Sequence, residues 1–262
     1  MSVLFLITAR GGSRGVPGKN MRKIGGMSLI GWKASAARVI MTEFCNDARI
    51  IISTDDVAMQ TEAMAYGVEV PFTRPAELAT DESSSADVIM HAIEWVESNW
   101  KRSFTDIMLL EPSSPFATPE HYHRALVMSA INDAHLVAGM RRTEPNTAFI
   151  GTQRPDNFIT PIIVNMERAG HNLRRQDLQP EWTMNGGLYL FEWEMFKRTK
   201  NVYGGARNYG LLMDDWHSIE IDSPRDLELA EYAFNSGHVK RPSTYSTSRW
   251  PRPSQIMLER VI

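Results

Sequence analysis

The chain has 262 residues, and its 28 lysine and arginine residues against 31 aspartate and glutamate residues give a formal net charge of −3. With 43% hydrophobic and 23% charged residues, the composition excludes a disordered or collagen-like chain. The single cysteine, Cys45, excludes an intramolecular disulfide and a multi-thiolate zinc site. The balanced charge gives no support for nucleic-acid binding by the whole chain, and no segment approaches the roughly 20 apolar residues of a membrane span. We therefore expect a soluble, cytoplasmic globular protein.

Short apolar runs alternate with helical periods along the chain. The pattern predicts strands at 3–8, 49–53, 107–110, 136–140, 188–191 and 218–221, and helices at 29–41, 57–66, 86–100, 119–131 and 224–234. Thr118 and Ser223 each precede a proline and should cap the helix that follows. This alternation predicts an α/β fold with a mainly parallel central sheet, whose ligands bind at the carboxyl ends of the strands.

Two segments interrupt the alternation and suggest the domain organisation. Residues 141–183 contain four prolines and no long helical period, with an extended piece expected at 158–165, and we interpret them as an inserted arm or small subdomain. Residues 236–262 form a tail with five basic residues and one acidic residue. The tail is either a solvated extension or a segment that packs on the body or on a second subunit. Residues 1–140 and 184–235 would then form the core.

The segment that follows the first predicted strand, residues 8–20 (TARGGSRGVPGKN), is rich in glycine and basic residues. Between residues 9 and 23 there is no acidic residue, and the basic ones are Arg10, Arg14, Lys19, Arg22 and Lys23. Glycines let backbone N–H groups approach an anion, and arginine and lysine add charge-assisted hydrogen bonds to phosphate oxygens. The segment matches neither the Walker motif nor the dinucleotide fingerprint. It predicts a phosphate-binding loop; the alternative is a basic surface turn, in which five cations would repel each other.

Further blocks follow this loop along the chain. They are residues 52–56 (ISTDD), 66–72 (YGVEVPF), 74–81 (RPAELATD), 109–115 (LLEPSSP), 174–178 (RRQDL), 185–189 (NGGLY) and 219–222 (IEID). Together with the loop, these eight blocks cover about residues 3–234 and resemble, in order, the acylneuraminate cytidylyltransferases. The resemblance implies a Rossmann-like nucleotidyltransferase that forms a homodimer through an inserted arm. Its implied reaction joins CTP to an α-keto acid sugar with Mg²⁺, giving the CMP-sugar and pyrophosphate.

The resemblance also implies the nucleotide-binding residues. Arg10 and Lys19 match positions that contact the phosphates, and they are expected to act in catalysis. Arg74 and Ser85 match positions that read the cytosine, although Ser85 could equally be the cap of the helix at 86–100. The expected nucleotide-binding set is Arg10, Gly11, Gly12, Ser13, Arg14, Lys19, Asn20, Arg74 and Ser85.

Glu220 and Asp222 are the candidate ligands of Mg²⁺. If residues 218–221 form a strand, the two side chains leave the same face near its carboxyl end. Carboxylate oxygens in small number suit Mg²⁺, which takes further ligands from water and substrate phosphates. Asp222 is therefore also expected to be catalytic. The alternative is a pair of solvated acids on an edge strand.

The sugar-binding residues implied by the resemblance are Glu111, Ser113, Ser114, Arg175, Asn185 and Tyr189. Arg175 is expected to bind the sugar carboxylate, because a guanidinium can bind it bidentately. Glu111 departs from the family, which usually has Gln at this position. A carboxylate there favours a sugar with an amino, hydroxyl or amidino donor. The sugar could thus be N-acetylneuraminate or a related legionaminic, pseudaminic, Kdn-like or Kdo-like acid.

The resemblance therefore predicts a CMP-nonulosonic acid synthetase, an enzyme that joins CTP to a sialic-type keto acid sugar. Three alternatives to this function remain open. The chain could be a nucleotidyltransferase that uses an eight-carbon keto acid sugar, as in CMP-Kdo synthesis, or another nucleotide. It could be a nucleotide-binding subunit without turnover. It could also bind RNA through the basic tail.

Overall fold

The fold is organised around one six-stranded sheet in the computed structural model, which describes residues 2–12, 15–45, 47–143, 146–152, 159–170, 174 and 177–245. The strands are β1 (Ser2–Thr8), β2 (Lys23–Ile24), β3 (Met27–Ser28), β4 (Asp47–Ser53), β5 (Asp106–Leu110), β6 (Leu136–Arg142), β7 (Trp182–Glu192) and β8 (Asn208–Leu212). The helices are α1 (Leu29–Phe44), α2 (Val57–Ala65), α3 (Ser85–Trp100), α4 (Pro119–Asn132), α5 (Thr160–Ala169), α6 (Trp193–Thr199) and α7 (Pro224–Asn235).

The strand order of the large sheet is β4-β1-β5-β7-β6-β8. β1 pairs in parallel with β4 and β5, and β6 pairs in parallel with β8, whereas β7 runs antiparallel to both of its neighbours. The predicted α/β fold with a mainly parallel sheet is confirmed. Because β1, β4 and β5 point the same way, the loops that follow them meet at one edge of the sheet.

Alternate side chains of β1 pack into two different layers, as the period of a strand requires. Phe5 and Ile7 pack with apolar residues of α1, α2 and α4 on one face. Leu4 and Leu6 pack with residues of α3 and α6 on the other. A third cluster joins α7 to the start of α1 and to Val16 in the loop after β1. The glycine-rich loop is therefore anchored by an apolar side chain at its middle.

Helix caps follow the sequence closely. Thr118 caps α4 and Ser223 caps α7, each in a capping box with a following proline, as predicted. The cap of α3 is Ser84, whose side chain accepts a hydrogen bond from the Asp87 N–H, so Ser85 is free of that role. Among the described residues, no helix is both long and apolar enough to cross a bilayer.

Three sequence predictions differ from the structure. Residues 218–221 are not a strand, because their backbone turns instead toward the loop after β5, where the Ile221 N–H donates to the Ser113 carbonyl at 2.8 Å. Residues 160–165, expected to be extended, begin helix α5, and residue 158 lies outside the described residues. β8 and α6 were not predicted, and the strand expected at 188–191 is the end of the longer β7.

The beginning of the basic tail packs on the body. Val239 and Pro242 are buried, and the Arg241 side chain donates to the Gly25 carbonyl oxygen. Residues 246–262 lie outside the described part of the chain. Up to residue 245, therefore, the tail packs on the body through Val239, Arg241 and Pro242.

Candidate active site

Three adjoining cavities open at the carboxyl edge of the sheet. The loop cavity, about 310 Å³, is lined by Thr8, Arg10, Gly15, Lys19, Asn20, Glu111, Pro112, Ser113 and Asp222. The arginine cavity, about 270 Å³, includes Arg10, Arg74, Asp81 and Ser85. The tyrosine cavity, about 250 Å³, includes Ser85, Glu111, Tyr189 and Tyr203. The loop and arginine cavities share Thr8 and Arg10, and the loop and tyrosine cavities share Glu111. The arginine and tyrosine cavities share Ser85, Ile89 and Leu109. The cavities thus form one continuous groove.

The glycine-rich loop is held in place by backbone contacts. The Gly11 N–H donates to Asp55 Oδ1 at 3.0 Å, and the buried Asn20 side chain donates to the Arg10 carbonyl at 3.3 Å. Gly15 lies so close to the Asp222 carbonyl that a Cβ atom there would be 2.0 Å from its oxygen. Only glycine permits this approach. The loop and the segment that carries Asp222 are therefore in direct backbone contact.

Both catalytic candidates of the loop form ion pairs with acidic residues of other segments. Arg10 Nη2 lies 2.6 Å from Asp81 Oδ1, and Lys19 Nζ lies 2.9 Å from Asp222 Oδ1. Arg10 and Asp81 are each about one-third exposed, so water screens their interaction. Exposed ion pairs of this kind contribute at most about 1 kcal/mol to stability. A triphosphate, which accepts stronger charge-assisted hydrogen bonds, can therefore replace Asp81 and Asp222 as the partner of the two cations.

Arg74 is the fixed cation of the arginine cavity. Its side chain is buried, and its guanidinium donates to the Ser53 hydroxyl at 3.0 Å and to the Ser53 carbonyl. Burial lowers the pKa of Arg74 to about 10, so it is still charged at neutral pH. Ser53 ends β4. The sheet therefore holds this guanidinium rigidly beside Ser85, which lines the same cavity.

A second cluster of polar side chains converges on Gly186, whose φ of +63° requires glycine. A Cβ atom on Gly186 would lie 2.6 Å from Ser114 Oγ, 3.2 Å from Glu220 Oε1 and 3.5 Å from Glu111 Oε2. Ser114 is fully buried, and its hydroxyl has no hydrogen-bond partner within the described part of the chain. Burial raises the pKa of both Glu111 and Glu220. Two carboxylates and an unpartnered hydroxyl thus meet beside the tyrosine cavity.

The residues expected to hold Mg²⁺ fit that ion. Glu220 and Asp222 are exposed carboxylates on a segment fixed by the Asp222 N–H, which donates to Asp226 Oδ2 at 3.1 Å. After burial, the main cause of the raised pKa of Glu220 is the negative charge of Asp222. A cation between them would relieve this repulsion. Among the described residues, no cluster of three or more acidic, histidine or cysteine side chains is arranged for a metal, so substrate oxygens would complete the shell.

Not every predicted site residue faces the groove. The Asn185 side chain is buried, donates to Ser218 Oγ at 2.8 Å and accepts from the Gly187 N–H at 3.0 Å, so both of its polar groups are used within the protein. Gly12 is exposed. Ser13, Arg14 and Arg175 lie outside the described residues. Their roles, like the sugar contacts of Ser113 and Tyr189, stay predictions.

Three residues in and behind the groove were not singled out from the sequence. Asp55 and Asp81 stand in blocks that carry the family resemblance, and Asp55 follows the carboxyl end of β4, where a ligand is expected. Lys33 is a lysine on the apolar face of α1. Its spacing of three or four residues from buried apolar neighbours was the signal that could have identified it.

Comparisons with known proteins show which proteins the chain is similar to. Residues 4–132 match the family model described as cytidylyltransferase. The CMP-N,N'-diacetyllegionaminic acid synthase of Legionella pneumophila is 29% identical over 239 residues, covering 88% of this chain and 95% of that protein. An N-acylneuraminate cytidylyltransferase of Streptococcus agalactiae is 27% identical over 227 residues, and the match covers 87% of this chain and 52% of that longer protein.

A solved structure supports the fold. CMP:2-keto-3-deoxy-manno-octonic acid synthetase, complexed with CTP, superposes with a TM-score of 0.61 at 14% identity, covering 90% of this chain and 100% of that chain. At this identity the likeness concerns the fold alone. The expected resemblance and the expected nucleotidyltransferase activity are confirmed by the family match and the named relatives. The chain thus carries a cytidylyltransferase domain at residues 4–132, and over most of its length it is similar to a named CMP-diacetyllegionaminic acid synthase and a named N-acylneuraminate cytidylyltransferase.

Proposed function

We propose that the protein is a CMP-nonulosonic acid synthetase. The oxygen of the sugar's anomeric hydroxyl attacks the α-phosphorus of CTP, the bond from that phosphorus to the bridging oxygen breaks, and pyrophosphate leaves while the hydroxyl proton is lost. The observation that carries the proposal is the continuity of the three cavities. Arg10 joins the loop and arginine cavities, and Glu111 joins the loop and tyrosine cavities. Triphosphate, base and sugar can therefore bind side by side.

The loop cavity suits the triphosphate. Arg10 and Lys19 supply positive charge where negative charge grows on the phosphate oxygens during the attack. Glu220 and Asp222 would hold Mg²⁺, which neutralises phosphate charge and favours departure of pyrophosphate. Arg74 and Ser85 would bind the cytosine in the arginine cavity. No residue needs to act as a covalent nucleophile in this reaction.

The tyrosine cavity suits the sugar. It combines the ring of Tyr189 with the carboxylate of Glu111, and the buried hydroxyl of Ser114 lies close by. A carboxylate accepts hydrogen bonds and donates none, so it favours a sugar that presents a hydroxyl, amino or amidino group. Relatives named for diacetyllegionaminic and acylneuraminic acids support a nine-carbon keto acid sugar.

A substrate panel tests the proposal. Purified protein is incubated with CTP, Mg²⁺ and each of several sugars, namely N-acetylneuraminate, legionaminic, pseudaminic, Kdn and Kdo acids, and products are resolved by mass. We expect a CMP-sugar with at least one nine-carbon acid, no product after chelation by EDTA, and little product with UTP, GTP or ATP. Turnover with Kdo alone would support the eight-carbon alternative. Nucleotide binding without product from any sugar would leave a binding subunit and refute the proposal.

The assembly and location are further parts of the proposal. We propose that residues 141–183 form an arm through which two chains dimerise. The support is the exposure of large apolar side chains in this segment, because Ile150, Ile159, Ile163 and Trp182 all lie open to solvent. Light scattering should give twice the chain mass, and Ile163→Glu should give monomers; a wild-type monomer would refute the dimer. We also propose a cytoplasmic location, where CTP is available, which cell fractionation can test.

A further inference from the structure

Lys33 is a charged side chain enclosed in the core directly behind the candidate active site. It lies on α1 with no exposed surface, and its Nζ donates a hydrogen bond to the Gly187 carbonyl at 2.5 Å. Its Nζ also lies 5.9 Å from the centroid of the Tyr122 ring. Enclosing an ammonium group in an apolar layer is strongly unfavourable unless an opposite charge compensates it.

The pattern of α1 gives no local reason for this lysine. The positions three and four residues away on either side are all buried and apolar or small: Leu29, Ile30, Ala36 and Ala37. An apolar residue at position 33 would complete the face that packs on the sheet. The reason for a lysine at this position must therefore be an opposite charge on the other side of the apolar layer between α1 and the sheet.

The opposite charge belongs to Glu111, at the end of β5. Lys33 hydrogen-bonds to the Gly187 carbonyl from the core side. Glu111 lies beside the adjacent Gly186, where a Cβ atom on that glycine would be 3.5 Å from Glu111 Oε2. The two groups thus contact the same pair of glycines. Burial lowers the pKa of Lys33 and raises the pKa of Glu111, but each charge acts on the other group to favour its ionised form.

We propose that Lys33 is the counter-charge of Glu111 and a positioning residue for sugar specificity. It holds the Gly186–Gly187 backbone and keeps Glu111 as a carboxylate that faces the sugar. The pair thereby selects a nonulosonic acid with an amino, amidino or hydroxyl donor at that point. Because Lys33 is fully enclosed, it acts through Glu111 and Gly187 and does not touch substrate. This inference rests on the proposed function for its substrate.

A double-mutant cycle tests the pair in the full-length protein. The variants are Lys33→Met, Glu111→Gln and the double variant, and each is measured for melting temperature without ligand and for the KM of CTP and of the sugar. Lys33→Met leaves an uncompensated carboxylate, so it should lower the melting temperature by about 10 °C. It should raise the sugar KM by about tenfold or more and leave the CTP KM within about twofold.

The double variant is the decisive measurement. With both charges removed, it should recover at least half of the lost melting temperature, and an amide at position 111 should move the sugar preference toward substituents that accept hydrogen bonds. A lysine that only filled space or held Gly187 would show no such rescue. A double variant that is no more stable than Lys33→Met, or that does not fold while Glu111→Gln does, overturns the inference. Equal changes in both KM values also overturn it.

A matched pair controls for general effects of removing a lysine and a glutamate. Lys197 and Glu97 form a partly exposed ion pair at 2.7 Å, and neither residue lines any of the three cavities. Lys197→Met and Glu97→Gln, alone and together, should change the melting temperature little and leave the sugar KM unchanged. The stability cycle needs no substrate, so its failure can be told apart from a failure of the proposed function, which would show as absent turnover in every variant.

Discussion

Replacing Asp222 by Asn separates catalysis from folding. Its carboxylate lies 2.9 Å from Lys19 Nζ, but the Asp222 side chain is 68% exposed, so loss of this ion pair should destabilise the protein by less than about 1 kcal/mol. For a chain of this size that is a shift of at most about 4 °C in melting temperature. The same change removes half of the negative charge that would hold Mg²⁺. Loss of one such electrostatic contact costs about 10²–10³-fold in kcat.

The assay is continuous detection of pyrophosphate with saturating CTP and sugar, beside a thermal melt of the same preparation. A matched control is Asp47→Asn, because Asp47 also forms an exposed ion pair, with Arg102, but lies at the start of β4, far from the groove. Both variants should melt close to wild type, and only Asp222→Asn should lose activity. If Asp222→Asn keeps more than about a third of wild-type kcat at saturating Mg²⁺, the assignment of Asp222 to the metal is wrong.

Three further predictions address the loop, the sugar cavity and the core. Gly15→Ala should raise the CTP KM about tenfold or more and lower the melting temperature, because the new Cβ would collide with the Asp222 carbonyl. The control is Gly12→Ala, which has open space around it and should leave the melting temperature unchanged. Equal melting temperatures for the two variants would contradict this prediction. Ser114→Ala should leave stability unchanged, since its hydroxyl lacks a partner among the described residues, but should raise the sugar KM and not the CTP KM; an unchanged sugar KM would remove Ser114 from the sugar site. Burial raises the pKa of Asp106 from 3.8 to about 6, so the folded state binds more protons than the unfolded state between these pH values and stability falls as pH rises through them. Urea unfolding should therefore give Asp106→Asn a free energy of unfolding up to about 3 kcal/mol higher than that of wild type at pH 7.5, and the difference should vanish below about pH 4. A difference that does not change with pH would refute the raised pKa of Asp106.

Local sequence signals were sufficient for the core of the fold. The alternation of apolar runs and helical periods identified β1, β4, β5 and β6, and the proline at the first helical position located the caps of α4 and α7. The segment around Glu220 was misread because a four-residue run with alternating apolar side chains looks like a strand whether or not a partner strand exists. Here the Ile221 N–H donates to the Ser113 carbonyl in the loop after β5 and not to a neighbouring strand. Whether a segment pairs with another strand depends on the tertiary structure, which a local sequence pattern does not encode.

The site was recovered unevenly for a similar reason. Residues that line the groove and stand in recognisable motifs, such as Arg10, Lys19 and Glu111, could be predicted from the sequence. Residues that act through a partner could not, because Asp81 is recognised only when it is seen beside Arg10. The misfit of Lys33 in an apolar face was visible in the sequence, but the carboxylate that explains it is 78 positions away along the chain.

Acidic side chains from neighbouring connections offset the positive charge of the basic loop. Five cations within 15 residues would repel each other, yet Asp81 pairs with Arg10, Asp222 pairs with Lys19, and Asp55 accepts the Gly11 N–H. These acids come from three separate connections at the same edge of the sheet, so the fold itself brings them to the loop. Because each exposed pair is weak, at most about 1 kcal/mol, an incoming triphosphate needs only slightly better contacts with the two cations to replace the acids. The acids that neutralise the loop in the free protein therefore do not block it, and a net charge of −3 is compatible with a site built to bind an anion.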